Sequence, residues 1–245
     1  MTKRQSVGRS VGSWSSRLGI ALAAVSLTAY PPDRLTAQVG YDPAHSPYHD
    51  APASNGPIFF AGYLGGGRGN VPVGLSGGNT WGVRYNLSFG STSIVLGASY
   101  GQTTRRIVNP FVATAKNTSG LINCDVVVVD AGLQMAITGP KTWHGLAPYV
   151  GATLGAAIGS ELGQDTSGYR FGTKFTFGPV AGAKFYLGRR VSLSTDFRLI
   201  FWRLSYPTNY LVPNAVDGKS VLALGAATNN WTTHPWISLG LGWAF

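Results

Sequence analysis

Downstream of residue 57 the chain alternates apolar side chains with polar or very small ones at a period of two, in separated segments. A β-strand sends successive side chains to opposite faces, so this period marks strands whose two faces meet different surroundings. The C-terminal segment shows it most cleanly. Trp231, Thr233, Pro235, Ile237, Leu239, Leu241, Trp243 and Phe245 share one face, and Thr232, His234, Trp236, Ser238, Gly240, Gly242 and Ala244 share the other.

The same rule predicts strands over Val191 to Arg203, Phe171 to Leu187, Leu146 to Ile158 and Asp125 to Thr138. Their apolar faces carry, for example, Leu193, Phe197, Leu199 and Phe201, while Ser192, Ser194, Asp196 and Arg198 face the other way. Upstream, Ile94, Leu96, Ala98 and Tyr100 oppose Ser93, Gly97, Ser99 and Gly101, and Trp81, Val83, Tyr85, Leu87 and Phe89 oppose Gly82, Arg84, Asn86 and Ser88. The first segment, Ile58 to Leu64, alternates poorly, so its faces stay unassigned, with Gly62 suited to the interior. That makes eight strands with an apolar outside and a polar or small inside, the pattern of a barrel in lipid. The fold class predicted is all-β, a closed antiparallel up-and-down transmembrane barrel, because an open sheet edge would leave unpaired backbone groups in hydrocarbon.

Loop lengths give an independent check. The short connections are Gly90-Ser91, residues 139 to 145 and Gly188-Arg189-Arg190; the long ones are residues 65 to 79, 102 to 124, 159 to 170 and 204 to 230. Short and long fall in alternating positions, as they do when short turns lie on the periplasmic side and long loops outside.

The N-terminus reads differently. Lys3, Arg4, Arg9 and Arg17 precede the apolar run Leu18 to Tyr30, which is too short to span a membrane as a helix and has the order of a secretory signal. Residues 1 to 38 are therefore expected to be a signal peptide cut near Gln38, although Leu35 is a poor match to the small residue preferred there. Residues 39 to 56 hold Pro43, Pro47 and Pro52 and predict a periplasmic lead-in, a tether or a strap, with neither helix nor paired strand. Residues 57 to 245 form the barrel.

Composition narrows the function classes. Only 11% of the 245 residues are charged, and no run long enough for a spanning helix follows the leader. The net charge of +10 would suggest nucleic acid if it clustered, but five of the 19 cations lie in the leader; without them and Asp33, 14 positive side chains face 8 negative ones, mostly scattered singly. No nucleic-acid partner is expected, and the remaining charge suits anionic headgroups. Cys124 is the lone cysteine and sits in no metal-ligand spacing. His45 and His49 with Asp42 and Asp50 could suggest a metal, but Pro47 blocks the helix that would align them. Neither metal nor cofactor is expected.

The ending Ile237-x-Leu239-x-Leu241-x-Trp243-x-Phe245, with the leader and the strand count, resembles the small bacterial outer-membrane β-barrel domain family of OmpA/OmpX type. The resemblance implies an outer-membrane location in a Gram-negative-type bacterium, and contact with the barrel-assembly machinery through Ile237, Leu239, Leu241, Trp243 and Phe245. A monomer surrounded by outer-membrane lipid is expected. Family membership leaves the role open among adhesins and structural anchors.

Three groups of residues could carry function. Arg84, Asp130, Asp196 and Arg198 point inward near mid-strand, two charges of each sign that must pair or stay wet. Trp202, His234 and Trp236 point inward near the outer end and could stack on an apolar solute, or simply fill the bore. A lipid-modifying enzyme would have to assemble a site from His234, Ser238, Glu161, Asp165 and Asp217, but His234 and Ser238 sit about 13 Å apart along one strand. The glycine-rich stretch Gly65 to Asn70 lacks phosphate-loop spacing and reads as a mobile outer loop, while Arg105, Arg106 and Arg203 would stand where lipopolysaccharide phosphates lie. The expectation is a non-enzymatic barrel with a filled lumen and a structural or surface-interaction role; the alternative is a binding or transport barrel.

Overall fold

The computed structural model describes residues 46–52, 55–67, 69–163 and 165–245. The expected signal peptide, its cleavage point at Gln38, and Asp42, His45 and Arg68 lie outside the described residues. The strands are β1 (Tyr48–Asp50), β2 (Gly56–Gly65), β3 (Leu75–Phe89), β4 (Thr92–Val108), β5 (Thr118–Ala136), β6 (Lys141–Trp143), β7 (Leu146–Gly159), β8 (Thr173–Tyr186), β9 (Val191–Ser205) and β10 (Asn229–Trp243).

Eight of them close a barrel. Antiparallel pairings run β2, β3, β4, β5, β7, β8, β9, β10, and β10 returns to β2 with Trp236 opposite Leu64 and Gly242 opposite Ile58. Every barrel strand has a neighbour on each side, which removes the sheet edge that lipid would not tolerate. The tight turn between β3 and β4 needs a left-handed residue, and Gly90 supplies it at φ +65°.

The two faces separate as the period predicts. Along β10, Trp231, Ile237, Leu239, Leu241 and Trp243 are exposed, while Thr232, His234, Trp236, Ser238, Gly240 and Gly242 are buried. In β2 the buried side is Ile58, Phe60 and Leu64 and the exposed side includes Phe59 and Tyr63, so both faces are apolar and the period vanishes from the sequence. The exterior is an apolar band edged by aromatic residues: Tyr63, Trp81 and Trp231 toward the long loops, Phe89 and Trp243 toward the short turns. Trp231 and Trp243 are twelve positions apart on β10. At about 3.3 Å per residue and a tilt of about 40° this spans roughly 30 Å along the axis, close to the apolar height of a membrane barrel. The outside is that of a transmembrane barrel.

Three expectations need correction. The lead-in was expected to contain no paired strand, yet β1 pairs antiparallel with β6, Tyr48 opposite Trp143 and Asp50 opposite Lys141. Pro47 and Pro52 flank this strand rather than interrupt it, so the three residues of β1 keep their donors. Residues 139 to 145, read as a plain turn, contain β6. Finally, the loop expected over residues 102 to 124 is largely strand, since β4 continues to Val108 and β5 starts at Thr118, with Thr103 opposite Cys124 and Arg105 opposite Ile122. Above the apolar band the outward positions become Gln102 and Arg106, and the alternation loses its apolar half while the pairing persists.

Candidate functional site

The four inward charges meet in the lumen as two ion pairs. Arg84 on β3 donates through Nη1 to Asp196 Oδ2, and Arg198 on β9 donates through Nη1 to Asp130 Oδ1 at 3.1 Å. All four are nearly inaccessible, with Asp130 the most exposed at 9%. Arg84 Nη2 also reaches Ser238 Oγ at 3.2 Å, and its guanidinium lies 3.8 Å from the centre of the Phe60 ring. Asp196 takes a further hydrogen bond from the Tyr149 hydroxyl. The ring of Tyr149 crosses Gly182, where a Cβ would stand 2.5 Å from the Tyr149 oxygen, so glycine is required for that approach.

Tyr149 on β7 and Lys184 on β8 are buried on the same inward face, and the four-charge reading leaves both out. Lys184 Nζ donates to Asn86 Oδ1 at 2.9 Å, and the ammonium stands 5.7 Å from the centre of the Tyr149 ring. With Lys184 included, three inward cations face two inward carboxylates at this level. The signal was present in the sequence as an inward lysine on β8.

Above the charges, the aromatic side chains pack on one another. Trp202 and His234 stack with centroids 3.7 Å apart, and Phe171 meets Trp202 edge-on at 5.8 Å. His234 contacts Gly65 O through Nδ1 at 3.1 Å and Thr232 Oγ1 through Nε2 at 2.9 Å. Trp236 donates to Thr80 Oγ1 at 2.8 Å, meets Phe60 edge-on, and has the guanidinium of Arg198 5.5 Å from its ring. Trp202 and His234 are wholly buried and Trp236 is 1% exposed. Their faces are covered by side chains of the barrel itself.

The candidate acids do not approach His234 through any hydrogen bond or ion pair among the described residues. Asp165 pairs with Arg105 at 2.7 Å, Glu161 pairs with Arg170 at 3.4 Å on the surface, and Asp217 accepts from Thr114 N at 2.8 Å. Arg105 is therefore not a headgroup contact: it is 1% exposed, on the inward face of β4, while Arg106 and Arg203 do face outward. Burial pushes the Asp165 carboxyl up, but hydrogen bonds from Ser167 and Arg105 outweigh it and hold the group below its ordinary value. Hydrogen bonds from Thr114 hold Asp217 low as well.

The long loops fold together over this end. Tyr210 donates to Val108 O at 2.9 Å, Asn209 to Ser167 O at 2.8 Å, and the Tyr206 hydroxyl accepts from Asn70 N at 3.0 Å. Beneath these bonds Val71, Val73, Leu75, Tyr169, Phe171 and Leu222 continue the apolar core upward from the lumen. The glycine-rich stretch expected to be a mobile loop is anchored at Gly67, whose N–H reaches Leu75 O at 3.0 Å. Around this cap Phe111, Val216 and Leu224 are exposed, Leu224 at 89%.

No family model matches the chain, and no curated protein does. Among solved structures it is similar to Neisserial surface protein A, at 13% identity over 78% of this chain and 99% of that one, with a TM-score of 0.47. It is also similar to Ail, the attachment invasion locus protein of Yersinia pestis, solved in complex with the heparin analogue sucrose octasulfate, at 16% identity over 78% and 99% with a TM-score of 0.32. The N-terminal β-barrel domain of Pseudomonas aeruginosa OprF aligns at 14% identity over 76% and 98%, with a TM-score of 0.35.

Proposed function

We propose that this protein is a non-enzymatic integral barrel of a Gram-negative-type outer membrane, with a filled lumen and a surface-interaction role carried by its loop cap. The observation that carries the reading is the lumen at mid-height, where Arg84 pairs with Asp196 and Arg198 with Asp130 across the bore, with Tyr149 and Ser238 bonded to the first pair. An eight-stranded interior is just wide enough for side chains, so groups committed in this way serve as filling rather than as a conduit. The covered faces of Trp202 and Trp236 weigh against the solute-binding alternative. Residence in lipid is supported by the aromatic-edged apolar exterior, and a surface role by a hydrogen-bonded cap that presents Phe111, Val216 and Leu224.

This reading fixes an orientation with a direct test. With Cys124 changed to serine, cysteines introduced singly as Val216→Cys and Tyr48→Cys should behave oppositely toward a membrane-impermeant maleimide on whole cells. Val216 is 68% exposed on the long-loop side and Tyr48 is 49% exposed on the strap. Labelling of Val216→Cys and protection of Tyr48→Cys is the expected result. Labelling of Tyr48→Cys on intact cells would reverse the orientation and remove the surface cap from the outside.

A further inference from the structure

At the short-turn end the strap and the lumen floor border a partly open cavity of about 310 Å³. Ala51, Pro52 and Asn55 line it from the strap side, and Gln134, Tyr149 and Lys184 from the barrel side. Lys184 is the one charged side chain among the described lining residues, and it is only 7% exposed. Its ammonium has three donors. The structure gives it a hydrogen bond to Asn86 and no ion pair among the described residues, and the nearby Asp196 is already taken by Arg84 and Tyr149.

We propose that this vestibule binds a small molecule bearing a single carboxylate, held by Lys184. A buried cation without a counter-charge is costly, and an anion entering beside it relieves that cost. A single cation matches a monoanion better than a phosphate dianion, which would bring more charge than the wall offsets. The volume lies at the lower end of the range for small-molecule pockets, about 300 to 1,000 Å³, and suits a molecule of roughly dipeptide size. Ala51, Pro52 and Pro140 give aliphatic walls, and Gln134 and Asn55 offer amides for hydrogen bonds. The site is reached from the strap end and does not depend on what the loop cap contacts.

Isothermal titration of the purified protein in lipid nanodiscs, which leave both ends open, tests this with N-acetylalanine and its neutral counterpart N-acetylalaninamide. The acid is expected to bind at least about tenfold more tightly than the amide, a preference of ~1.4 kcal/mol. Lys184→Met should abolish that preference. Ala51→Trp, a change in the strap that leaves every barrel-strand residue in place, should fill the cavity and weaken the acid and the amide alike. It keeps the test available should Lys184→Met fold poorly. Equal affinity for acid and amide, no measurable binding of the acid, or unchanged binding in Ala51→Trp would overturn the proposal. Displacement of the acid by an equal concentration of chloride would mark a site for any small anion and would overturn the carboxylate assignment.

Discussion

Replacing Asp196 by alanine is expected to destabilise the barrel by about 3 to 5 kcal/mol, the cost of leaving a buried partner charge uncompensated. Asp196 accepts from Arg84 and Tyr149 at a site where Arg84 is 2% and Asp196 3% exposed. Its removal leaves Arg84 in contact with Ser238 and the Phe60 ring, neither of which carries a negative charge, and the remaining carboxylate nearby, Asp130, is already paired with Arg198. The control is the double variant Asp196→Leu with Arg84→Met, in which both charges leave together. Buried pairs replaced by apolar groups of similar volume are often neutral or stabilising, so this variant should recover most of the loss. Urea unfolding in lipid vesicles, followed by tryptophan fluorescence, reads both. An unchanged midpoint for Asp196→Ala would show that the lumen at this height is wet and that the pair does not hold it.

The second large effect is expected in assembly rather than in stability. Phe245 is 80% exposed, and its backbone N–H donates to Asn55 O at 3.1 Å. A substitution that keeps the backbone leaves that bond in place. A charge near the edge of the apolar band costs only about 0 to 1 kcal/mol, so Phe245→Asp should refold into detergent micelles nearly as well as the parent. In cells, if Phe245 closes the signal read by the assembly machinery, Phe245→Asp should lower outer-membrane yield about tenfold or more, equivalent to ~1.4 kcal/mol of recognition. Ala244→Asp should lower it far less. Equal yields for the two variants would remove the recognition role, and a parallel refolding defect in vitro would assign the effect to folding.

The architecture was legible because lipid imposes a strict contrast between faces, and that contrast prints as a period of two from Trp81 to the C-terminus. It failed where the contrast fails. In β2, Phe59 and Tyr63 face outward while Ile58, Phe60 and Leu64 face inward, because this strand contributes its apolar side chains to the lumen core as well. Above the band, β4 and β5 pair through Gln102, Asp125 and Arg106, where outward positions meet water and accept polar residues. The strand pairing of the strap is hidden for a different reason: its partner strand β6 is three residues long, and no pattern of that length can be told from a turn.

Within the lumen, alternation gave which residues point inward but not which of them touch. Partners depend on register around the whole ring, as the Arg84 to Asp196 pair shows by joining β3 to β9 across the bore. The Arg105 to Asp165 pair was beyond reach for a further reason, since β4 had to be known to extend that far before Arg105 could be placed on its inward face.

The claim on which the functional reading turns is that the lumen is filled, and single-channel recording of the purified protein in planar bilayers addresses it most directly. With both ion pairs at mid-height and the stacked Trp202 and His234 above them, the protein should give no stable porin-sized conductance steps at any protein concentration that inserts intact barrels. Reproducible porin-sized steps from monomeric, folded protein would contradict the account and restore a conducting barrel.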